Sequence, residues 1–228
     1  MIVLLFGPPG SGKGTQASYI VTRHAIPAIS TGELFRAECK ARTPLGKQAC
    51  SILASGGLVG DEIVNQMVAR RIAQPDCLPG FLLDGYPRTP MQAVFLDGLL
   101  RQKSLPQPTV IHLDVRRDLL VRRMSMRRQC PGCSRIYNLL WQPPRMAGLC
   151  DDDGAELVCR QDDTDLVIRE RLEAYEKVTG PVISHYRARE SYHLVNGDRS
   201  PGEIQREIET LLASPARPRR RATVILSR

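Results

Sequence analysis

The sequence predicts an α/β protein: a doubly wound sheet of parallel strands with helices on both faces. Three observations carry that reading. Five short apolar runs, Ile2 to Phe6, Pro27 to Ile29, Phe81 to Leu83, Thr109 to Leu113 and Tyr192 to Val195, are continuous instead of alternating, as strands covered on both faces are. Helical patterns separate them. A glycine-rich stretch, Gly7-Pro8-Pro9-Gly10-Ser11-Gly12-Lys13, follows the first run directly and opens the first helix.

Taken in order, the first strand passes through this loop into a helix from Thr15 to His24. After the second run, Ser30-Thr31-Gly32-Glu33 has the pattern of a capping box and starts a helix from about Gly32 to Arg42. Further helices are expected over Asp61 to Arg71, Pro90 to Lys103, Arg117 to Arg127, Leu166 to Tyr186 and Pro201 to Leu212. Two stretches break the alternation. Residues 30 to 60 form a helix-rich excursion between the second and third strands. Residues 128 to 160, rich in Cys, Pro, Gly and Asp, have too little apolar material for a core and must be held by something else. The end of the chain from Ser214, SPARPRRRATVILSR, reads as a loose tail or, through VIL, as a short added strand.

A chain of 228 residues suits one domain with insertions. Its 42% hydrophobic and 25% charged residues fit a globular protein. The longest apolar runs fall far short of the roughly 20 residues a membrane helix needs, and no basic segment precedes the first run, so the expectation is a cytoplasmic protein without a membrane partner. Of the net charge of +8, five arginines after Glu209 account for five, leaving +3 on residues 1 to 209. The body is only mildly basic, so a nucleic-acid partner, which the PRRR tail would otherwise suggest, is not expected.

The loop satisfies G-x-x-x-x-G-K between a buried strand and a helix start, where backbone N–H groups and the helix terminus attract phosphate. Gly10, Ser11, Gly12, Lys13, Gly14 and Thr15 are the expected contacts to a nucleotide's phosphates, with Lys13 reaching the β- and γ-phosphates. Gly14 follows the lysine, so the hydroxyl comes one residue later than usual, at Thr15. None of the five lysines lies in an [NT]-K-x-D element, which excludes a guanine-reading switch of the GTPase kind. Asp84 ends the third apolar run, where an acid can orient water on Mg²⁺.

Cys130-Pro131-Gly132-Cys133 is a C-x-x-C knuckle, and Cys150 and Asp153 follow it. Three thiolates and a carboxylate from two turns are a structural zinc set, with all four positions filled and none left for catalysis. Asp151, Asp152 and Cys159 stand nearby as rival fourth donors. Cys39, Cys50 and Cys77 fit no pattern and read as small packing residues.

Across GPPGSGKGTQ (7 to 16), STGELFR (30 to 36), GFLLDGYPRT (80 to 89), Gln92, RRMSMRR (122 to 128) and RQDDTDLVIRERL (160 to 172), the chain resembles an adenylate kinase of the long, bacterial type. The resemblance runs from residue 1 to about 212. It implies a P-loop NTPase-like, five-stranded parallel sheet flanked by helices. The core is expected at 1–29, 60–125 and 164–213, with an NMP-binding insertion at 30–59, a LID insertion at 126–163 that carries the metal knuckle, and a basic tail at 214–228. It implies reversible transfer from MgATP to AMP giving two ADP, serving adenine nucleotide homeostasis and AMP salvage; a monomer is the default expectation, since both substrate sites would then fall within one chain. Catalytic roles would fall to Lys13, Asp84, Arg88, Arg123, Arg160 and Arg171. Arg123, Arg127, Ile136, Tyr137 and Arg199 would join the loop around ATP. AMP would be held by Thr31, Arg36, Gly57, Leu58, Val59, Gly85, Tyr86, Pro87, Arg88 and Gln92, with Arg160 and Arg171 at the transferring group. Tyr86 stands where the family commonly has phenylalanine. Thr31 and Gln92 speak for adenine over UMP or CMP. Family flaps use Cys or Asp as the fourth metal ligand, in keeping with Asp153.

Overall fold

In the computed structural model of the chain, the described residues are 1–43, 46–47, 59–133, 135–159 and 163–213, with the side chains of residues 32, 33, 36 and 40 excepted. Gly57, Leu58, Arg160 and the tail from 214, all named above, lie outside them, as does the Arg36 side chain.

The elements run β1 (Ile2–Phe6), α1 (Lys13–His24), β2 (Ala28–Ser30), α2 (Thr31–Ala41), α3 (Asp61–Ile72), a 3₁₀ turn (Pro75–Cys77), β3 (Phe81–Asp84), α4 (Pro90–Gln102), β4 (Thr109–Asp114), α5 (Arg117–Ser125), β5 (Arg127–Gln129), β6 (Ile136–Asn138), α6 (Asp165–Arg187), β7 (Tyr192–Asn196) and α7 (Pro201–Ala213). Five strands form one parallel sheet in the order β2-β3-β1-β4-β7. The five expected strands are all present, each within a residue of its predicted end.

The continuous apolar runs follow from burial on both faces. In β1, Ile2, Leu4 and Phe6 enter one core with Phe81, Leu83, Val68 and Leu96, while Val3 and Leu5 enter the other with Ile20, Leu82, Ile111 and Ile204. Each such side chain contributes about 1.5–3 kcal/mol. The chain turns to one side of β1 for β2 and β3, then crosses to β4 on the other. Ligands of open α/β sheets sit at such a reversal, beyond the carboxyl ends of the strands, and the loop after β1 lies there.

Two local expectations are corrected. The helix expected to reach Arg127 stops at Ser125, capped by Met126, whose N–H donates to Arg122 and Met124 carbonyls. Arg127 instead pairs with Asn138 at the start of an antiparallel hairpin, Arg128 with Tyr137 and Gln129 with Ile136. At the start of α2, Ser30 is the N-cap residue but its side chain makes no capping bond. Outside the sheet, the described residues of the flap have a miniature core: Cys130, Tyr137 and Cys150 are buried against Ala155 and Leu157.

Candidate active site

The phosphate loop owes its shape to glycine at two places. Gly10 (φ +80°) lies so close to α5 that a Cβ there would meet Met124 Cγ at 2.9 Å. Gly12 (φ +91°) immediately precedes α1 in a left-handed conformation with open space where a side chain would stand. The turn is closed by Ser11 N–H donating to Pro8 O at 3.1 Å. Ser11 Oγ is buried without a hydrogen-bond partner.

Lys13 folds back so that Nζ donates to Gly7 O at 2.5 Å and Pro8 O at 3.0 Å. Desolvation lowers its pKa to about 8; Asp84 opposes that fall, while the positive fields of Arg88, Arg171 and Arg127 add to it. Four residues from β3, the turn after it, β5 and α6 therefore act on one ammonium group. Three of those four neighbours are guanidinium groups, which suits the site to a polyanion.

The turn after β3 is built around Gly85 (φ +74°). Its carbonyl accepts from Arg88 Nε at 2.8 Å and Thr31 Oγ1 at 3.4 Å. The Tyr86–Pro87 peptide is cis. Tyr86 is buried, and its hydroxyl donates to Asn65 Oδ1 at 2.6 Å. Val59 is partly buried and packs against the core cluster to which Tyr86 belongs. Gln92 is buried, with Oε1 accepting from Arg88 N at 2.7 Å and Nε2 donating to Asp61 Oδ1 at 2.7 Å.

On the flap side, Arg127 Nε donates to Asp163 Oδ2 at 2.7 Å, and a second guanidinium nitrogen bonds the other oxygen. Arg171 shares that carboxylate at 3.5 Å. The Asp163 side chain is fully buried between them. Arg123 sits under the ring of Trp141, with Cζ 5.6 Å from its centroid. Sequence reasoning missed Trp141, although it is the only tryptophan of the chain. Arg199 pairs with Glu207 of α7. Ile136 is exposed, but the Tyr137 ring is inside the flap's small core, its hydroxyl accepting from Asp151 N at 2.7 Å. Any nucleotide contact at Tyr137 is thereby left to its backbone.

Cys130, Cys133, Cys150 and Asp153 each offer a ligand atom, and these atoms lie within 4.8 Å of one another. Cys133 Sγ is 3.5 Å from Cys150 Sγ, and Cys130 Sγ is 3.1 Å from Asp153 Oδ2. A Cβ on Gly132 would meet Asp153 Oδ2 at 2.6 Å, which explains glycine inside the knuckle. The rival donors are engaged or outside the group. Asp152 is paired with Arg135, Asp151 accepts from Arg145 N at 2.8 Å, and Cys159 is exposed. Three soft thiol donors and one carboxylate at this spacing fit tetrahedral zinc. One cysteine expectation fails: Cys39 is disulfide-bonded, so it is not a free packing thiol.

A strand, a phosphate loop and a ring of guanidinium groups at the carboxyl edge of a parallel sheet define a nucleotide-dependent phosphotransferase. The adenylate kinase family model matches residues 5–191, well over half the chain. The adenylate kinase of Anaeromyxobacter dehalogenans is 47% identical over 204 residues, 90% of this chain and 95% of its own. That of Trichlorobacter lovleyi is 47% identical over 212 residues, 93% and 99% respectively, and that of Clostridium perfringens 41% over 214. The chain belongs to the adenylate kinase family. It is a nucleoside monophosphate kinase, and its reaction is ATP + AMP ⇌ 2 ADP. Among the described residues no helix is long and apolar enough to cross a membrane.

Proposed function

We propose that the donor and acceptor nucleotides meet over Lys13, with AMP held on the α3–β3 side and MgATP on the phosphate loop beneath the flap. The convergence of Asp84, Arg88, Arg127 and Arg171 on Lys13 carries this reading. Two polyanions must be brought to bonding distance, so fixed cations have to offset their repulsion and water must be kept from taking the phosphoryl group. Lys13 leaves the Gly7 and Pro8 carbonyls for the β- and γ-phosphates. Arg88, beside the Gly85 turn, holds the AMP phosphate with Arg36, and Arg171 and Arg160 hold the group in flight. Arg123 and Arg127 hold the ATP phosphates, which requires Arg127 to exchange Asp163 for phosphate oxygens. Ser11, buried and unpartnered, offers its hydroxyl to the same phosphates. Mg²⁺ enters with ATP, and Asp84 would hold its water and screen charge between the phosphates. The transfer is direct and in line, with no group in the site placed as a covalent carrier.

Thr31, Gln92 and residues 57–59 form the adenine side of the acceptor pocket, while Arg199 and the backbone at 136–137 border the ATP base. Residues 30–59 and 126–163 are the moving insertions on a core of 1–29, 60–125 and 164–213. The flap's four donors hold zinc, whose task is to cross-link two turns that lack a core of their own. We read the protein as a cytoplasmic monomer, the monomer because every residue given a nucleotide role here comes from one chain.

A coupled assay that offers AMP, CMP, UMP and GMP separately tests the acceptor. Turnover with AMP at least about a hundredfold above the others is expected, because a site built to bond a base edge rejects one that cannot. Comparable turnover with UMP or CMP refutes the pocket assignment. Elemental analysis of the purified protein should find one zinc per chain.

A further inference from the structure

Asp61 lies at the first position of α3, thirty-one residues from Gln92, and no phosphate or base role falls to it. Yet its carboxylate receives two donors from the acceptor pocket's wall: Gln92 Nε2 at 2.7 Å and Thr89 Oγ1 at 2.5 Å. Thr89 is itself fixed, because its hydroxyl oxygen caps α4 by accepting from Gln92 N at 3.1 Å. The other end of the Gln92 amide accepts from Arg88 N at 2.7 Å.

These partners settle which way round the amide stands. A carboxylate only accepts and a backbone N–H only donates, so Nε2 must face Asp61 and Oε1 must face Arg88. Each end still has capacity in reserve, one N–H on Nε2 and one lone pair on Oε1. That spare pair has a fixed polarity. It suits a base edge that carries a donor amino group beside an acceptor nitrogen, as 6-aminopurine does. It opposes 6-oxopurine, in which the amino donor is replaced by a carbonyl acceptor and the adjoining N1 becomes a donor.

We propose that Asp61 is a positioning residue for base specificity: by locking the polarity of the Gln92 amide, it makes the acceptor pocket choose 6-aminopurine over 6-oxopurine nucleotides. The inference rests on the placement of Gln92 against the acceptor base given under Proposed function. Without the carboxylate only the Arg88 N–H still holds the polarity, so a half-turn of the amide about its last bond costs that one bond and presents donor to a carbonyl and acceptor to N1–H, a cost that the two bonds to a 6-oxopurine edge offset. An asparagine at 61 tolerates either orientation, since it can accept from Nε2 or donate to Oε1.

The test compares AMP with IMP, which differ at the 6-position and N1 alone. For Asp61→Asn, the ratio of kcat/KM for AMP to that for IMP should fall about tenfold, within the range by which one bidentate amide–base pair discriminates. The change should appear in KM more than in kcat, since the base is remote from the transferred group. Asp61→Glu, which keeps an acceptor-only group, should hold the ratio within about threefold of the unaltered protein. Both acceptors are measured on one preparation, so a loss of folded protein cancels in the ratio. Gln92→Leu separates the two layers of the argument. If Gln92→Leu removes the preference while Asp61→Asn and Asp61→Ala leave it at the starting value, the role of Asp61 is overturned and the pocket stands. If Gln92→Leu itself leaves the preference intact, the placement of Gln92 fails and the role of Asp61 fails with it.

Discussion

The phosphate loop and the flap are held by different forces. The loop is anchored between β1, whose five residues are all buried, and α5, against which Gly10 lies too closely to carry a side chain. The flap buries Cys130, Tyr137 and Cys150 among few partners and owes its remaining order to a two-stranded hairpin and four clustered donors. Burial of extended strands fixes the platform, whereas three thiols and a carboxylate hold together a segment with little core of its own. Under the proposed function, the preformed charge, Lys13, belongs to the platform and a deliverable charge, Arg127, to the root of the moving piece. Asp163, a fully buried carboxylate, is paired with both Arg127 and Arg171, and under the proposed function phosphate takes its place there.

If that division is right, damage to the platform and damage to the flap should read out differently. Arg88→Ala removes a fixed cation from the platform while leaving the sheet untouched. The loss should be about 3–4 kcal/mol of transition-state stabilisation, roughly 10²–10³-fold in kcat, in line with deletion of one charge-stabilising donor. Steady-state kinetics with saturating ATP and AMP measures it. Near-normal turnover would remove Arg88 from the reacting centre.

Cys130→Ser, or removal of zinc by a strong chelator, attacks the other side of the comparison. The expected cost is about 2–3 kcal/mol, a fall of roughly 5–10 °C in the unfolding midpoint for a chain of this size. The core should keep its own cooperative transition, because among the described residues Cys130 and Cys150 pack in a separate small cluster with Tyr137. Calorimetry of metal-loaded and stripped protein distinguishes the outcomes: an unchanged midpoint, with no zinc found on analysis, would make the four donors an unmetallated cluster.

Much of the platform was legible in the sequence, and less of the connections across it. Strands buried on both faces leave continuous apolar runs, and the phosphate loop needs glycine at fixed offsets, so both are local signals. The C-x-x-C knuckle is local too, and Asp153, already preferred in the sequence, gains over its neighbours because Asp151 and Asp152 are bonded to Arg145 N and Arg135. The hydrogen bonds from Gln92 and Thr89 to Asp61, the stacking of Trp141 on Arg123 and the pairing of Arg199 with Glu207 join residues whose types carry no spacing rule. Tyr86 shows the limit differently. An aromatic was readable there, but its hydroxyl acquires a purpose only beside Asn65, twenty-one residues earlier. The early end of α5 was hidden because Arg127 satisfies a helical pattern as well as a strand, and the pairing with Asn138 decides between them.

The smallest expected effect sharpens the account of Lys13. Desolvation holds its pKa at about 8 in the nucleotide-free protein. A polyanionic triphosphate stabilises the charged form, so the pKa must rise when ATP binds. Below pH 8 the lysine is protonated in both states and affinity is flat. Between about 8 and the raised value, binding must take up a proton, and affinity for ATP falls with rising pH by up to tenfold per unit, about 1.4 kcal/mol. Isothermal titration in two buffers of unlike ionisation enthalpy reads the proton uptake directly, at pH 7 and again near pH 9. Uptake near zero at pH 7 and a substantial fraction of one proton near pH 9 is the expected pattern, and Lys13→Met should abolish it. Equal uptake at both pH values, or uptake that survives the substitution, would assign the titrating group elsewhere and leave Lys13 charged throughout, with its bonds to the Gly7 and Pro8 carbonyls a resting position and nothing more.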